Sequence, residues 1–219
     1  MAYNEAASLE AVVHEILEST AALDAEVLIV DDGSRDGTAQ IADRWRDREP
    51  RVRVIHHEIN RGVGEVYRSG FAAARGELVT FLPADGQFPA SVVTTFVDEM
   101  RDVDLVLGYL PEQAGTRSLV GKVLSTCEKL LYRLLFGPMP KFQGVLMFRR
   151  ARFQELTLVS KGRGWTLLTE LIVKAMRRGW RVRSVPTPLR ARMAGESKVN
   201  NLRSVLSNLR QALILRASL

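Results

Sequence analysis

Apolar residues fall into short unbroken runs, separated by stretches in which they recur every three or four positions. The runs EVLIV (26–30), VRVIH (52–56), ELVTFL (77–82) and VDLVLG (103–108) are rich in Val, Ile and Leu. They read as buried strands, since a strand covered on both faces has no need of polar alternation. Between them, residues Ala6–Ser19, Thr38–Arg48, Gly64–Arg75 and Ala90–Arg101 carry helical spacing. Strands alternating with helices predict an α/β chain with right-handed crossovers and a mostly parallel sheet. In such sheets ligands sit beyond the carboxyl ends of the strands. That rule singles out DDGSRDGT after the first run, NRGVG after the second and PADGQFP after the third.

The second half changes character. From Leu119 onward, Val120, Val123, Leu124, Cys127, Leu130, Leu131, Leu134 and Leu135 make one apolar stripe, with Lys122, Lys129 and Arg133 on the other face. The stripe reads as a core-facing helix, with a helix lying in a membrane interface as the alternative. GVLMF (144–148) then predicts a strand, TLLTELIVKAMRRG a helix closed by Gly179, and WRVRSVP a strand stopped by Pro186. The tail 201–219 repeats the amphipathic pattern through Leu202, Val205, Leu206, Leu209 and Leu213. No repeat or linker divides the 219 residues, so one domain is expected.

Charge sharpens this picture. The net +6 conceals residues 1–140, with 14 basic and 22 acidic side chains, and residues 141–219, with 17 basic and 3 acidic. The basic end calls for an anionic partner: nucleic acid, an anionic membrane face or a phosphorylated substrate. Nucleic acid fits poorly, because the basic residues lack interleaved aromatics for base stacking. The single Cys127 excludes an internal disulfide and reads as a buried small hydrophobe. No apolar run is long enough to cross a bilayer, and the N-terminus lacks a basic-then-apolar secretory layout.

The strand-end segments carry the candidate chemistry. VDDGSRDGT offers adjacent acids in a turn, with Asp36 or Thr38 as a helix cap and a carboxylate able to accept from a ribose or base. NRGVG opens a helix with glycines that would let amides approach a phosphate. In PADGQFP, Asp85 and Gln87 present hard oxygens suited to Mg²⁺ or Mn²⁺, and Mg²⁺ commonly takes only one or two carboxylates. RMAGESKVN places Arg192 and Lys198 around Gly195, a basic loop able to clamp phosphates. His14, His56 and His57 show no ligand spacing with Cys127, so no zinc site is expected.

In order, AYNE (2–5), VDDGSRDGT (30–38), NRGVG (60–64), PADGQ (83–87), GVLMFRR (144–150) and RMAGESK (192–198) resemble the family 2 inverting glycosyltransferases of GT-A fold. Within that family the resemblance leans towards the dolichol- and polyprenyl-phosphate sugar synthases. It implies a Rossmann-like sheet flanked by helices, with amphipathic C-terminal helices. It places Tyr3 and Glu5 around the nucleotide base, and Val30 and Asp32 beside base and ribose. Ala84, Asp85 and Gln87 fall at the diphosphate and metal, Arg192 and Lys198 on a closing loop, and Arg117 at the lipid phosphate.

The implied reaction is transfer of a hexose from GDP-mannose or a UDP-sugar to a polyprenyl phosphate, with inversion and a divalent metal. The expected setting is the cytoplasmic face of a membrane, bound peripherally through anionic lipid or with a membrane-anchoring subunit. A hydroxyl acceptor on a polysaccharide, or a nucleotide-sugar-binding pseudoenzyme, are the alternatives. Three departures from the family pattern stand out. Pro83 replaces the first Asp of Asp-Ala-Asp, Tyr109 and Leu110 stand where an Arg is usual, and the apolar strand that normally precedes AYNE is missing before Met1. The last departure leads to the expectation that the natural chain starts upstream of Met1.

Overall fold

The computed structural model describes residues 1–111, 130–160, 166–193 and 212–217. Its elements follow the sequence pattern closely. Leu9–Ser19 (α1), Val27–Asp31 (β1), Thr38–Arg48 (α2), Val52–His56 (β2), Val63–Ala73 (α3), Leu78–Thr80 (β3), Ser91–Glu99 (α4) and Leu105–Tyr109 (β4) alternate as expected. Leu146–Arg149 (β5), Arg150–Gln154 (α5), Thr166–Arg177 (α6) and Val182–Pro186 (β6) follow. Gly179, at φ 69°, ends α6: its N–H donates to the Met176 carbonyl, and that of Trp180 to the Ala175 carbonyl, so the last turn is satisfied.

The strands form two sheets, β1–β2 and β3–β5–β4–β6. β1 and β2 are parallel, as are β4 and β6, but β5 runs antiparallel to both neighbours. The sheet is therefore mixed where the alternation predicted a mostly parallel one. An apolar run reports burial, not direction, and GVLMF carries no signal that it enters between two earlier strands.

Leu105, Val106 and Leu107 are fully buried, because β4 lies inside the larger sheet with helices on both faces. One face meets α6 through Leu168, Leu171 and Ile172, together with Tyr67 and Phe71 of α3. The other face meets Val92, Phe96 and Met100 of α4 and the residue after it. A smaller core joins Leu9, Val13 and Leu17 of α1 to Ile29, Ala42 and Trp45. Gly108 has no room for a side chain: an added Cβ would lie 2.9 Å from both the Thr187 methyl and the Val145 carbonyl oxygen.

The stripe beginning at Leu119 is described only at its end, the helical residues 130–136. There Leu131 and Leu135 are half-buried, whereas Leu130 and Leu134 are exposed at 57% and 75%. The core-facing expectation fails for that second pair, since no described element packs over it. Within 212–217, Ala212 and Leu215 are buried and Leu213 and Ile214 exposed. Cys127 and most of the tail 201–219 lie outside the described residues.

Candidate active site

Two loops at the carboxyl end of β1 are laced together residue by residue. Asn4 adopts a left-handed φ of 52°, which its short amide side chain tolerates. Its N–H donates to Ser34 Oγ at 2.9 Å, and its Oδ1 accepts the Arg35 N–H at 2.8 Å. The next two amides continue the lacing, Glu5 N–H to Thr38 Oγ1 and Ala6 N–H to Asp36 Oδ2. Asp36 and Thr38 thus fasten the Tyr3–Ala6 loop, while the residue at the α2 cap is Gly37. This lacing fixes where Glu5 projects.

Glu5 meets the turn after β3 through one guanidinium. Arg192 lies 2.9 Å from Asp85 Oδ2 and 3.4 Å from Glu5 Oε1. All three side chains are largely shielded, and the Asp85 residue is buried. Asp85 Oδ1 accepts the Gln87 N–H at 3.0 Å, an Asx turn that Gly86 permits with its φ of 72°. The segment bearing Arg192 is held by backbone bonds, Arg190 N–H to the Gln87 carbonyl and Met193 N–H to the Asp85 carbonyl. Arg190 also pairs with Glu15 of α1. Two carboxylates around one cation leave a net negative charge, so the junction has capacity for a second cation.

Asp32 is committed differently. Its oxygens accept the N–H groups of Arg61 and Gly62 at 2.9 and 2.8 Å, and Oδ1 lies 2.7 Å from His57 Nδ1. His57 Nε2 in turn lies 2.9 Å from Ser69 Oγ. The amides that open α3 therefore hold the protein's own carboxylate, where NRGVG suggested a substrate phosphate. A buried anion at a helix N-terminus satisfies the orphan amides and the helix dipole together. Val30 is buried, its methyl directed at Gly70 of α3. Tyr3 is half-buried, and Ala84 is buried with its N–H on the Met1 carbonyl. Arg117 and Lys198 lie outside the described residues.

The structure thus unites Glu5, Asp85 and Arg192, with Ala84 and Gln87 alongside. His57, Ser69, Glu15 and Arg190 were not singled out as site residues in the sequence. His57 could have been, because it follows β2 as Asp32 follows β1. His56, bridging Asp31 and Asp43, is hindered in its charge by partial burial, yet the two carboxylates prevail and raise its pKa above the ordinary value.

The donor set suits a hard divalent cation: a shielded carboxylate already faces a cationic group, the Arg192 guanidinium. Among the described residues no cluster of three or more His, Cys, Asp or Glu side chains is placed to hold a metal. Such an ion would need oxygens from a bound phosphate as well.

A parallel β1–β2 pair beside a mixed sheet, flanked by helices and carrying an ionic junction at its strand ends, defines a GT-A-like α/β fold. The chain belongs to glycosyl transferase family 2, whose model matches residues 1–157. It is 31% identical over 215 residues to glycosyltransferase AglD of Haloferax volcanii, covering 94% of this chain but only 34% of that protein. The chain thus spans about a third of that relative. It is 27% identical to the undecaprenyl-phosphate mannosyltransferase of Micrococcus luteus, over 90% of this chain and 84% of that one. Among solved structures, glucosyl-3-phosphoglycerate synthase from Mycobacterium tuberculosis, crystallised with Mn²⁺, UDP and phosphoglyceric acid, superposes with a TM-score of 0.73. That similarity covers 99% of this chain and 75% of the other at 20% identity, a likeness of fold.

Proposed function

We propose that the protein transfers a hexosyl group from a nucleotide-sugar to a polyprenyl phosphate, with inversion at the anomeric carbon. The observation that carries this reading is the Glu5–Arg192–Asp85 junction at the strand ends. It is a cation held in reserve beside a carboxylate fit for a metal, the equipment that departure of a diphosphate requires. The polyprenyl acceptor is supported by the relative from Micrococcus luteus, which matches this chain over most of both lengths.

A phosphate monoester has its second pKa near about 6, so the acceptor is largely dianionic at neutral pH. One of its oxygens attacks the anomeric carbon from the face opposite the leaving group. The bond from that carbon to the nucleotide diphosphate breaks, and its electron pair departs with the diphosphate. No proton has to be removed, which suits a site where Gln143 stands near the expected acceptor position. Arg192 exchanges its carboxylate partners for the departing diphosphate, a bidentate match for the guanidinium fork. Asp85 and Gln87 would hold Mg²⁺ or Mn²⁺, which when bound supplies charge neutralisation to the diphosphate. Lys198 and Arg117 serve the closing loop and the acceptor phosphate. Tyr3, Glu5, Val30 and Ala84 shape the nucleotide side, while Asp32 sets the position of the Arg61–Gly62 loop.

The 17 basic residues between 141 and 219 draw the protein to the cytoplasmic face of a membrane, where its lipid substrate resides. Among the described residues no helix is long and apolar enough to cross a membrane. Peripheral attachment through these side chains, or through an anchoring subunit, is the reading that their charge supports.

The test screens GDP-mannose and UDP-sugars with Mn²⁺ against a fluorescent polyprenyl phosphate, using the purified protein. The expected product is a polyprenyl phosphohexose of inverted configuration. Transfer only to an oligosaccharide hydroxyl would overturn the acceptor, and nucleotide binding without turnover would mark a pseudoenzyme. Asp85→Ala should remove most turnover, by roughly 10²- to 10³-fold. A near wild-type rate at saturating Mn²⁺ would refute the metal assignment.

A further inference from the structure

Each acid at the end of β1 is matched by a histidine at the end of β2. Asp31 stands beside His56 in the parallel pair, and the next two residues, Asp32 and His57, turn to the opposite face. His56 lies 3.1 Å from both Asp31 Oδ2 and Asp43 Oδ1, which ties its face to α2. His57 lies 2.7 Å from Asp32 Oδ1 and 2.9 Å from Ser69 Oγ, which ties the other face to α3. The outer histidine is exposed, whereas the His57 and Asp32 side chains are each only 4% exposed.

The inner trio has a fixed direction. A carboxylate only accepts, so His57 Nδ1 carries the proton that is donated to Asp32. Nε2 of the neutral ring is then an acceptor, and the Ser69 hydroxyl donates to it. With the acid and the imidazole both shielded, the trio does not handle a substrate. What it can transmit is position.

What it positions is a stack of loops. Asp32 also accepts the Arg61 and Gly62 N–H groups at 2.9 and 2.8 Å, so its two oxygens hold three donors. The loop gripped in this way lies directly on the turn after β1. A Cβ added to Gly33 would come within 2.5 Å of the Ile59 carbonyl carbon and 2.7 Å of the Asn60 nitrogen. Ser34 of that turn accepts the Asn4 N–H, and the next residue is Glu5. Rotation of the Asp32 carboxylate would therefore be felt in the Ile59–Gly62 loop, in the Gly33–Ser34 turn and in the Tyr3–Ala6 loop.

We propose that His57 is a positioning residue for nucleotide binding. Pinned by Ser69, it holds Asp32 in the orientation that grips the Arg61 and Gly62 amides, and so keeps three strand-end loops in register. This rests on the reading that a nucleotide sits at these strand ends. Ser69, one helical turn and more inside α3, then acts on a ligand it never meets.

Three variants test the relay in two measurements. His57→Leu removes both hydrogen bonds of the ring, Ser69→Ala removes only the pin, and His57→Asn restores a donor at the Nδ1 position. Amide exchange at Arg61 and Gly62 should quicken by roughly tenfold in His57→Leu, less in Ser69→Ala, and return towards wild type in His57→Asn. Calorimetry with GDP or UDP plus Mn²⁺ should show the dissociation constant rising by roughly tenfold in His57→Leu, with the same order among the variants. In turnover, KM for the nucleotide-sugar should rise by a larger factor than kcat falls, since Asp85 and Arg192 stay in place. Unchanged exchange at both amides would overturn the relay, whatever the nucleotide does. Faster exchange with an unaltered dissociation constant would overturn the positioning role. If the wild type binds neither GDP nor UDP, the proposed function fails with it, and the exchange measurement, which needs no nucleotide, still decides the relay. Should His57→Leu not fold, Ser69→Ala carries the test, because the change deletes one hydroxyl and places a better helix former in α3.

Discussion

Arg192 holds together the most consequential contacts in the molecule. In the structure it pairs with both Asp85 and Glu5, and in the proposed reaction it serves the leaving diphosphate. The two roles predict opposite effects of Arg192→Ala. Turnover should fall by roughly 10²- to 10³-fold, as for loss of one preorganised donor. Mn²⁺ binding without nucleotide should tighten, because Asp85 loses its resident counter-ion. Titration of Mn²⁺ by electron paramagnetic resonance reads the second effect, and weaker binding in the variant would refute the exchange. This pairing was only half legible in the sequence. Asp85 and Arg192 could each be named from their residue types, but the partners stand 107 positions apart and only the β6 connection brings them together. Asp32 was legible as a strand-end acid, yet its partners, two amides and His57, depend on how the Arg61–Gly62 loop folds back.

Among the described helices, α6 has the most buried residues, one of them an acid. Glu170 is fully buried, accepts the N–H groups of Val159 and Ser160 at 2.8 Å, and pairs with Lys174 at 2.5 Å. Burial alone would raise its pKa, but Lys174 and the two N–H donors prevail and lower it. Glu170→Ala strands those donors and should cost about 3 kcal/mol, a fall of roughly 6–12 °C in melting temperature. Because the folded pKa is depressed, the contribution of Glu170 is complete above its unfolded value of about 4.3. It disappears as pH falls through the lower folded value. Melting followed from pH 7 to 3 should therefore decline more steeply in the wild type than in Glu170→Gln, and parallel curves would contradict the assignment. Helices and strands were the most legible part of the chain, since α2 and β2 begin and end where periodicity places them. Strand direction was not, because β5 is apolar whichever way it runs.

Across the whole molecule, the contrast between the acidic first part and the basic last part gives the proposed membrane attachment a testable dependence on charge. Each basic side chain near an anionic membrane contributes about 1 kcal/mol. Binding to vesicles containing phosphatidylglycerol should exceed binding to neutral vesicles and weaken as salt rises. Flotation that ignores lipid charge would refute this use of the basic end. The exposed Leu130 and Leu134, and Leu213 and Ile214, supply apolar surface of the kind an interfacial helix inserts. The charge division could be counted directly from the sequence. Which leucines face outward could not, since helical spacing defines a stripe without saying what covers it.

Gly108 gives this architecture a long lever arm. Thr187, whose methyl touches the space above Gly108, is tied to the Tyr109 carbonyl through its N–H and its hydroxyl. It begins the segment that carries Arg190 and Arg192 to the strand ends. A methyl group inserted by Gly108→Ala would push against Thr187 at the buried end of that segment, with overpacking costing about 1–3 kcal/mol. The displacement would be felt at a guanidinium the mutation never touches. Turnover in Gly108→Ala should therefore fall further than its melting temperature accounts for, so that a position silent by chemistry behaves in a mutational screen like part of the active site.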